Sequence, residues 1–298
     1  MMAIIREVKE RPREIMPGNT VGRVLPAPPL MRVGPFVFLD HGGPHDFGPG
    51  EGSDVPPHPH IGLATVTYVL EGEVFHRDSL GSAQEIHPGA VNWMTAARGI
   101  AHSERTPERV RAGKHRMHIL QFWVGLPKAR EKDDPQFHGY AADALPIVSP
   151  SGVRVRVCVG SAYGVRSPVL TTSPTLLADA EFQGPGELRL PAAPESAAFV
   201  IEGTVQCESV TATKGTMLVF SPESTPLLRT DAPGRVAVFG GEPLDGPRFI
   251  WWNFVSSSQE TIVEAARAWR ERRWPLIPGD EKEFVPLAAE PHFPKTAL

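Results

Sequence analysis

The sequence predicts an all-β protein: two barrel-like, jelly-roll-type domains packed together, with one short helix near the C-terminus. Three observations carry this. The 32 Pro and 28 Gly of the 298-residue chain are dispersed along it, which suits many short strands joined by turns. Between them lie short runs of β-branched and aromatic residues, the side chains that favour strands. The third is a weak internal repeat. Val66-Thr67-Tyr68-Val69-Leu70-Glu71-Gly72-Glu73-Val74 resembles Ala197-Ala198-Phe199-Val200-Ile201-Glu202-Gly203-Thr204-Val205, and Gly89-Ala90-Val91-Asn92-Trp93 resembles Gly215-Thr216-Met217-Leu218-Val219.

Along the chain, the N-terminus places Arg6, Glu7, Lys9 and Glu10 where a secretory signal needs an apolar core. The first domain is expected over residues 1–135 and the second over 136–298. The linker falls near 128–145, where Lys128-Ala129-Arg130-Glu131-Lys132-Asp133-Asp134-Pro135 reads as a solvated charge run ending in proline. His41 and His45 flank Gly42-Gly43-Pro44, which reads as a turn. Ten of the eleven histidines lie at or before His138, which assigns the chemistry to the first domain. The second copy of the repeat has no histidine at a matching position and reads as a barrel without metal. Near the end, Ser257 and Glu260 have the spacing of a capping box. Ile262, Ala265, Ala266 and Trp269 follow at helical spacing, predicting a helix over about 258–272 that stops before Pro275. Its later half carries Arg267, Arg270, Arg272 and Arg273, charges that suit the C-terminal end of the helix dipole.

Hydrophobic residues make up 41% of the chain and charged residues 21%, as in soluble globular proteins. The formal charge of −4 and pI near 6.3 argue against a duplex DNA binder, which concentrates Lys and Arg against phosphates. Two cysteines, Cys158 and Cys207, cannot build a disulfide framework, so a reduced, intracellular protein is the expectation. No window approaches the ~18–20 apolar residues of a membrane helix. A cytoplasmic protein without membrane contact follows, and two barrels that cover each other's faces predict a monomer.

The strongest local signal is a pair of doublets, His58-Pro59-His60 and His102-Ser103-Glu104. Alternate residues of a strand share a face, so each doublet can aim two side chains at one point. Three imidazoles and a carboxylate suit Fe, Cu, Ni, Mn or Zn. The absence of a thiolate argues against a structural zinc of the Cys type. His76 and Asp78 have the same spacing and read equally as a pair holding a ligand's tautomer or as a surface hairpin pair. Phe36, Phe38, Phe122 and Trp123 read as core residues before cavity-lining ones.

The surrounding motifs sharpen this. His58-Pro59-His60-Ile61-Gly62, His76-Arg77-Asp78-Ser79-Leu80-Gly81, Ile86-His87-Pro88-Gly89 and Gly99-Ile100-Ala101-His102-Ser103-Glu104 occur together. Phe38-Leu39-Asp40-His41, Gln121-Phe122-Trp123-Val124-Gly125-Leu126-Pro127 and Trp252-Asn253-Phe254-Val255-Ser256-Ser257 accompany them. As a set they resemble the pirin family, a branch of the cupin superfamily, densely over about 20–130 and again over 247–280. The usual first cupin motif has a Glu four or five residues after its second His. Here those positions are Ala64 and Thr65, and the carboxylate is Glu104, a substitution that pirins share.

The resemblance implies a bicupin in which His58, His60, His102 and Glu104 hold one divalent transition metal. It favours Fe(II), with Mn, Ni, Cu or Zn compatible. It also implies a quercetin 2,3-dioxygenase activity, with a flavonol and O₂ as substrates, carbon monoxide as a product and Glu104 as the base. The alternative it implies is an iron-dependent, redox-sensing regulatory protein that binds transcription factors or metabolic enzymes. Some members of the family are nuclear.

Overall fold

The structure, a computed structural model, describes residues 3–16, 18–287 and 289–293. It is mostly β, with two cupin domains and one short C-terminal helix. By packing, the described residues form two compact units that interleave along the sequence. One comprises residues within 1–13, 21–41 and 143–243; the other comprises residues within 14–20, 42–142 and 244–298.

The unit that carries the histidine doublets is built from two sheets. A four-stranded sheet runs in the order Asp54–His60, Ile100–Arg105, Val74–Asp78, Ala83–Ile86. The facing sheet runs Gln136–Tyr140, Val91–Thr95, Leu63–Glu71, His115–Gly125, then the part of Phe36–Phe47 from Gly42 onward. The last strand runs on through Gly42-Gly43-Pro44, so in place of the turn expected between His41 and His45 there is a kink within one strand, with Gly43 at φ +96° and a cis bond to Pro44. Gly62 links the two sheets. Its φ is +68°, and a Cβ there would lie 1.9 Å from the Val255 carbonyl oxygen, so only glycine fits.

The other unit has a seven-stranded sheet in the order Ile4–Lys9, Thr216–Phe220, Glu195–Glu202, Gly234–Gly241, Thr175–Phe182, Arg154–Val159, Ile147–Val148. A four-stranded sheet, Gly186–Arg189, Leu227–Thr230, Thr204–Cys207, Val210–Thr213, completes it. Its interior is apolar: Val155, Val157, Leu176, Ala198, Val200, Leu218, Phe220 and Val236 form one buried cluster. Cys158 and Cys207 are buried and carry no disulfide.

The sequence repeat is a repeat of register. In the histidine-bearing unit Val66, Thr67 and Tyr68 pair with Trp93, Asn92 and Val91. In the other, Ala197, Ala198 and Phe199 pair with Val219, Leu218 and Met217. The inward pair Thr67–Asn92 therefore answers to Ala198–Leu218. One barrel has a polar interior where the other is filled with hydrocarbon.

Packing departs from a single cut at residue 135. The strand Ile4–Lys9 hydrogen-bonds antiparallel to Thr216–Phe220, and described residues within 244–293 complete the histidine-bearing unit. The helix spans Gln259–Arg270, and its N-cap is Ser258, whose side chain accepts from the Thr261 amide. The expected cap, Ser257, is taken instead by Glu131, which accepts from both its amide and its hydroxyl at 3.0 Å. Glu131 is thus no solvated residue of a charge run: it pairs with the buried Arg248 at 2.7 Å. Ile262 and Ala266 of the helix pack with Ile61, and Trp269 packs with Ala101. Those are the immediate neighbours of His60 and His102, so the helix buttresses both histidine strands.

Candidate metal centre

His58 and His60 end the strand Asp54–His60; His102 and Glu104 lie on Ile100–Arg105. The strands are antiparallel with His102 directly opposite His58, and the register slips between His102 and Glu104. The ring centroids are 4.3 Å apart for His58–His102 and 5.0 Å for both His58–His60 and His60–His102. One ring nitrogen from each of the three lies within 4.8 Å of the others.

Hydrogen bonds say which nitrogens these are. His58 Nδ1 lies 2.9 Å from the Pro56 carbonyl and His60 Nδ1 lies 3.0 Å from the Asn253 carbonyl. A carbonyl can only accept, so both Nδ1 atoms carry protons and both Nε2 atoms offer lone pairs. His102 Nδ1 faces His76 Nδ1 at 3.4 Å, and His102 Nε2 is buried without a hydrogen-bond partner. Burial, aided by the neighbouring imidazoles, holds His60 and His102 well below the ordinary histidine range, and burial lowers His58 to about 4. At neutral pH all three are uncharged, the form that binds metal. A buried imidazole nitrogen with no partner is costly; a divalent cation among three such lone pairs satisfies it. The residues therefore fit a metal.

Glu104 stands apart from this triad. Its Oε1 lies 2.9 Å from the Thr67 hydroxyl, which is also 2.9 Å from Gln121 Oε1. Burial raises its pKa above the ordinary carboxylate value. The fold thus brings His58, His60 and His102 together and keeps Glu104 beside them on a polar wall with Thr67 and Gln121.

Several neighbours escaped the sequence reading. Thr67 and Gln121 face each other across the register, and the available signal was a polar residue at alternate positions of a fully buried strand. Trp123 is buried, as expected of a core residue, and also meets the His60 ring edge-on at 5.1 Å. Phe137 stacks on His76 at 4.2 Å. His76 and Asp78 are 2% and 0% exposed, which removes the surface-hairpin reading. A second set, Glu73, Glu85 and His87, also brings its ligand atoms within 4.8 Å. There the Arg109 guanidinium already binds both carboxylates, making an ion-pair network at the surface.

A barrel with this buried imidazole set defines a two-barrel protein of the cupin class. Family models match in both halves: Pirin over residues 18–124 and the Pirin C-terminal cupin domain over residues 177–275. The chain belongs to the pirin family. It is 45% identical over 271 residues to a pirin-like protein of Caulobacter vibrioides, covering 90% of this chain and 93% of that one. To pirin of Rattus norvegicus it is 32% identical, covering 86% and 88%. Among solved structures, quercetin 2,3-dioxygenase from Acinetobacter baumannii aligns with a TM-score of 0.91 at 34% identity, covering 99% of this chain and 98% of that one.

Proposed function

We propose that this protein is a metal-dependent dioxygenase of the pirin type, which opens the ring of a flavonol such as quercetin with O₂ and releases carbon monoxide. The observation that carries the reading is the triad of buried, neutral imidazoles with converging Nε2 lone pairs, walled by the aromatic Trp123. The likeness to the Acinetobacter enzyme supports it over nearly the whole chain.

His58, His60 and His102 would hold the metal, with Glu104 as a fourth ligand; Fe(II) is the favoured ion. When bound, the metal supplies a Lewis-acidic, redox-active centre. The chain supplies the rest. Glu104 accepts the proton of the flavonol 3-hydroxyl at its carboxylate, and the Thr67 hydroxyl at 2.9 Å steadies that oxygen. Trp123, beside His60, would wall the site with an apolar ring. A general base contributes ~10²–10⁴-fold, and one that also serves as ligand gives the lower end of that range.

A second reading draws on the likeness to rat pirin: an iron-dependent, redox-sensing protein that binds a protein partner. It requires partner affinity to differ among the metal-free, Fe(II) and Fe(III) forms.

The test is aerobic quercetin turnover by metal-free protein reloaded separately with Fe(II), Mn(II), Ni(II), Cu(II) and Zn(II), with carbon monoxide detected. Metal-dependent release, abolished in His58→Ala and at least tenfold slower in metal-loaded Glu104→Gln, is the expected result. Tight metal binding with no carbon monoxide from any ion transfers the weight to the regulatory reading.

A further inference from the structure

Of the three imidazoles, two are oriented by backbone carbonyls, which no mutation can remove. The third, His102, is oriented by side chains. We infer that His76 and Asp78 are positioning residues that fix His102 as its Nδ1–H tautomer and so reserve its Nε2 for the metal. This rests on the metal-centre reading above.

The argument starts at Asp78. It is fully buried, and its Oδ1 accepts the amides of Leu80 at 2.9 Å and Ser82 at 3.0 Å, so the carboxylate cannot swing away. Two backbone N–H donors on one oxygen favour the ionised carboxylate. An ionised carboxylate only accepts. Its Oδ2 lies 3.1 Å from His76 Nε2, so that nitrogen carries the proton.

His76 Nδ1 then faces His102 Nδ1 at 3.4 Å, and one of the two must donate. If His76 donated, the proton of His102 would sit on Nε2. That atom is buried with no acceptor within hydrogen-bonding distance, and a proton on it would block the third lone pair of the cluster. An unsatisfied N–H there is the costly arrangement. The other order leaves only the His102 Nε2 lone pair unmet, and that is the atom a metal would take: His102 Nδ1–H donates to His76 Nδ1, and His76 Nε2–H donates to Asp78. The strand register places Asp78 opposite His102 and His76 opposite Glu104. Phe137, stacked on His76 with an interplanar angle of 10°, fixes the plane of the intermediate ring.

The test uses two variants of the full chain. In Asp78→Asn, the oxygen stays with the backbone amides and the introduced NH₂ faces His76 Nε2. His76 then turns its other nitrogen into a donor, which confronts His102 Nδ1–H. In His76→Phe the stack on Phe137 survives but the acceptor is gone. Outer partners of metal-bound histidines typically account for 10–100-fold in metal affinity. Each variant is therefore expected to lower Zn(II) affinity, read by chelator competition, by 10–100-fold. The double variant should lose no more than either single one, because both break one chain. In ¹⁵N NMR of the Zn(II)-loaded wild type, His102 should carry its proton on Nδ1. Unchanged affinity in both variants, or a His102 proton on Nε2, overturns the inference. Failure of the wild type to bind any metal is a separate result: it overturns the metal-centre reading, and this inference with it.

Discussion

His102 and Asn92 both hold buried polar atoms without partners, yet they have different standing. A cation would satisfy His102. Asn92 is 3% exposed, and neither its Oδ1 nor its Nδ2 has a hydrogen-bond partner. Its counterpart in the apolar barrel is Leu218. An unsatisfied buried polar group costs about 1–3 kcal/mol, and leucine matches asparagine closely in shape. Asn92→Leu should therefore raise the stability of the metal-free protein by roughly 1–2 kcal/mol, measured as the urea midpoint at constant m-value. A lowered midpoint would show that the amide supports the barrel. At this scale the cluster of His58, His60 and His102 was legible because spacing and residue type suffice to mark it, whereas Glu104 stands beside it on a polar wall. The Pro56 and Asn253 carbonyls were not legible, because every residue carries a carbonyl and sequence does not say where it points.

Among elements, the ion pair of Glu131 and Arg248 shows how a charge run can mislead. Lys128, Arg130, Asp133 and Asp134 lie at the surface, but Glu131 turns inward to a guanidinium that is 0% exposed. Arg248 also donates to the Leu126 and Gly246 carbonyls. Removing one partner of a buried pair is strongly destabilising, because the remaining charge is left desolvated. Glu131→Gln should cost roughly 3 kcal/mol, partly relieved by Asp245, and should lower the melting temperature without changing the metal bound per chain. A melting temperature equal to that of the wild type would sink this account. The same pair explains the shifted helix cap: once Glu131 captures Ser257, the next serine must serve the helix. Helix position and periodicity were readable from Ile262, Ala266 and Trp269. The cap was not, since its competitor lies more than a hundred residues upstream.

For the whole molecule, one architecture appears twice with opposite interiors, and the identical register of Thr67–Asn92 and Ala198–Leu218 makes this visible. Proton linkage follows from the polar interior. His58, His60 and His102 have pKa values depressed in the folded, metal-free protein. Between the ordinary histidine value of 6.5 and about 4, the unfolded chain binds protons that the folded chain refuses. Stability is therefore present above that window and falls as pH drops through it, by up to about 1.4 kcal/mol per unit for each histidine. Glu104, raised by burial, acts in the opposite sense: its share is full at low pH and lost as pH rises through its folded value. Three groups outweigh one, so urea midpoints of the metal-free protein should decline from pH 7 to pH 5. A flat profile would contradict the buried, neutral triad. The sequence made the two-barrel plan readable through its repeat. It concealed the exchange of terminal segments, because strand pairing over such separations leaves no local pattern.

The contact between His60 Nδ1 and the Asn253 carbonyl spans 193 residues. During synthesis, all three imidazoles leave the ribosome long before the group that orients one of them. A nascent chain that has reached residue 140 holds His58, His60 and His102 without the carbonyl that orients His60. The orientation of His60 is thus completed only once Asn253 has been made and has folded back onto the histidine strand.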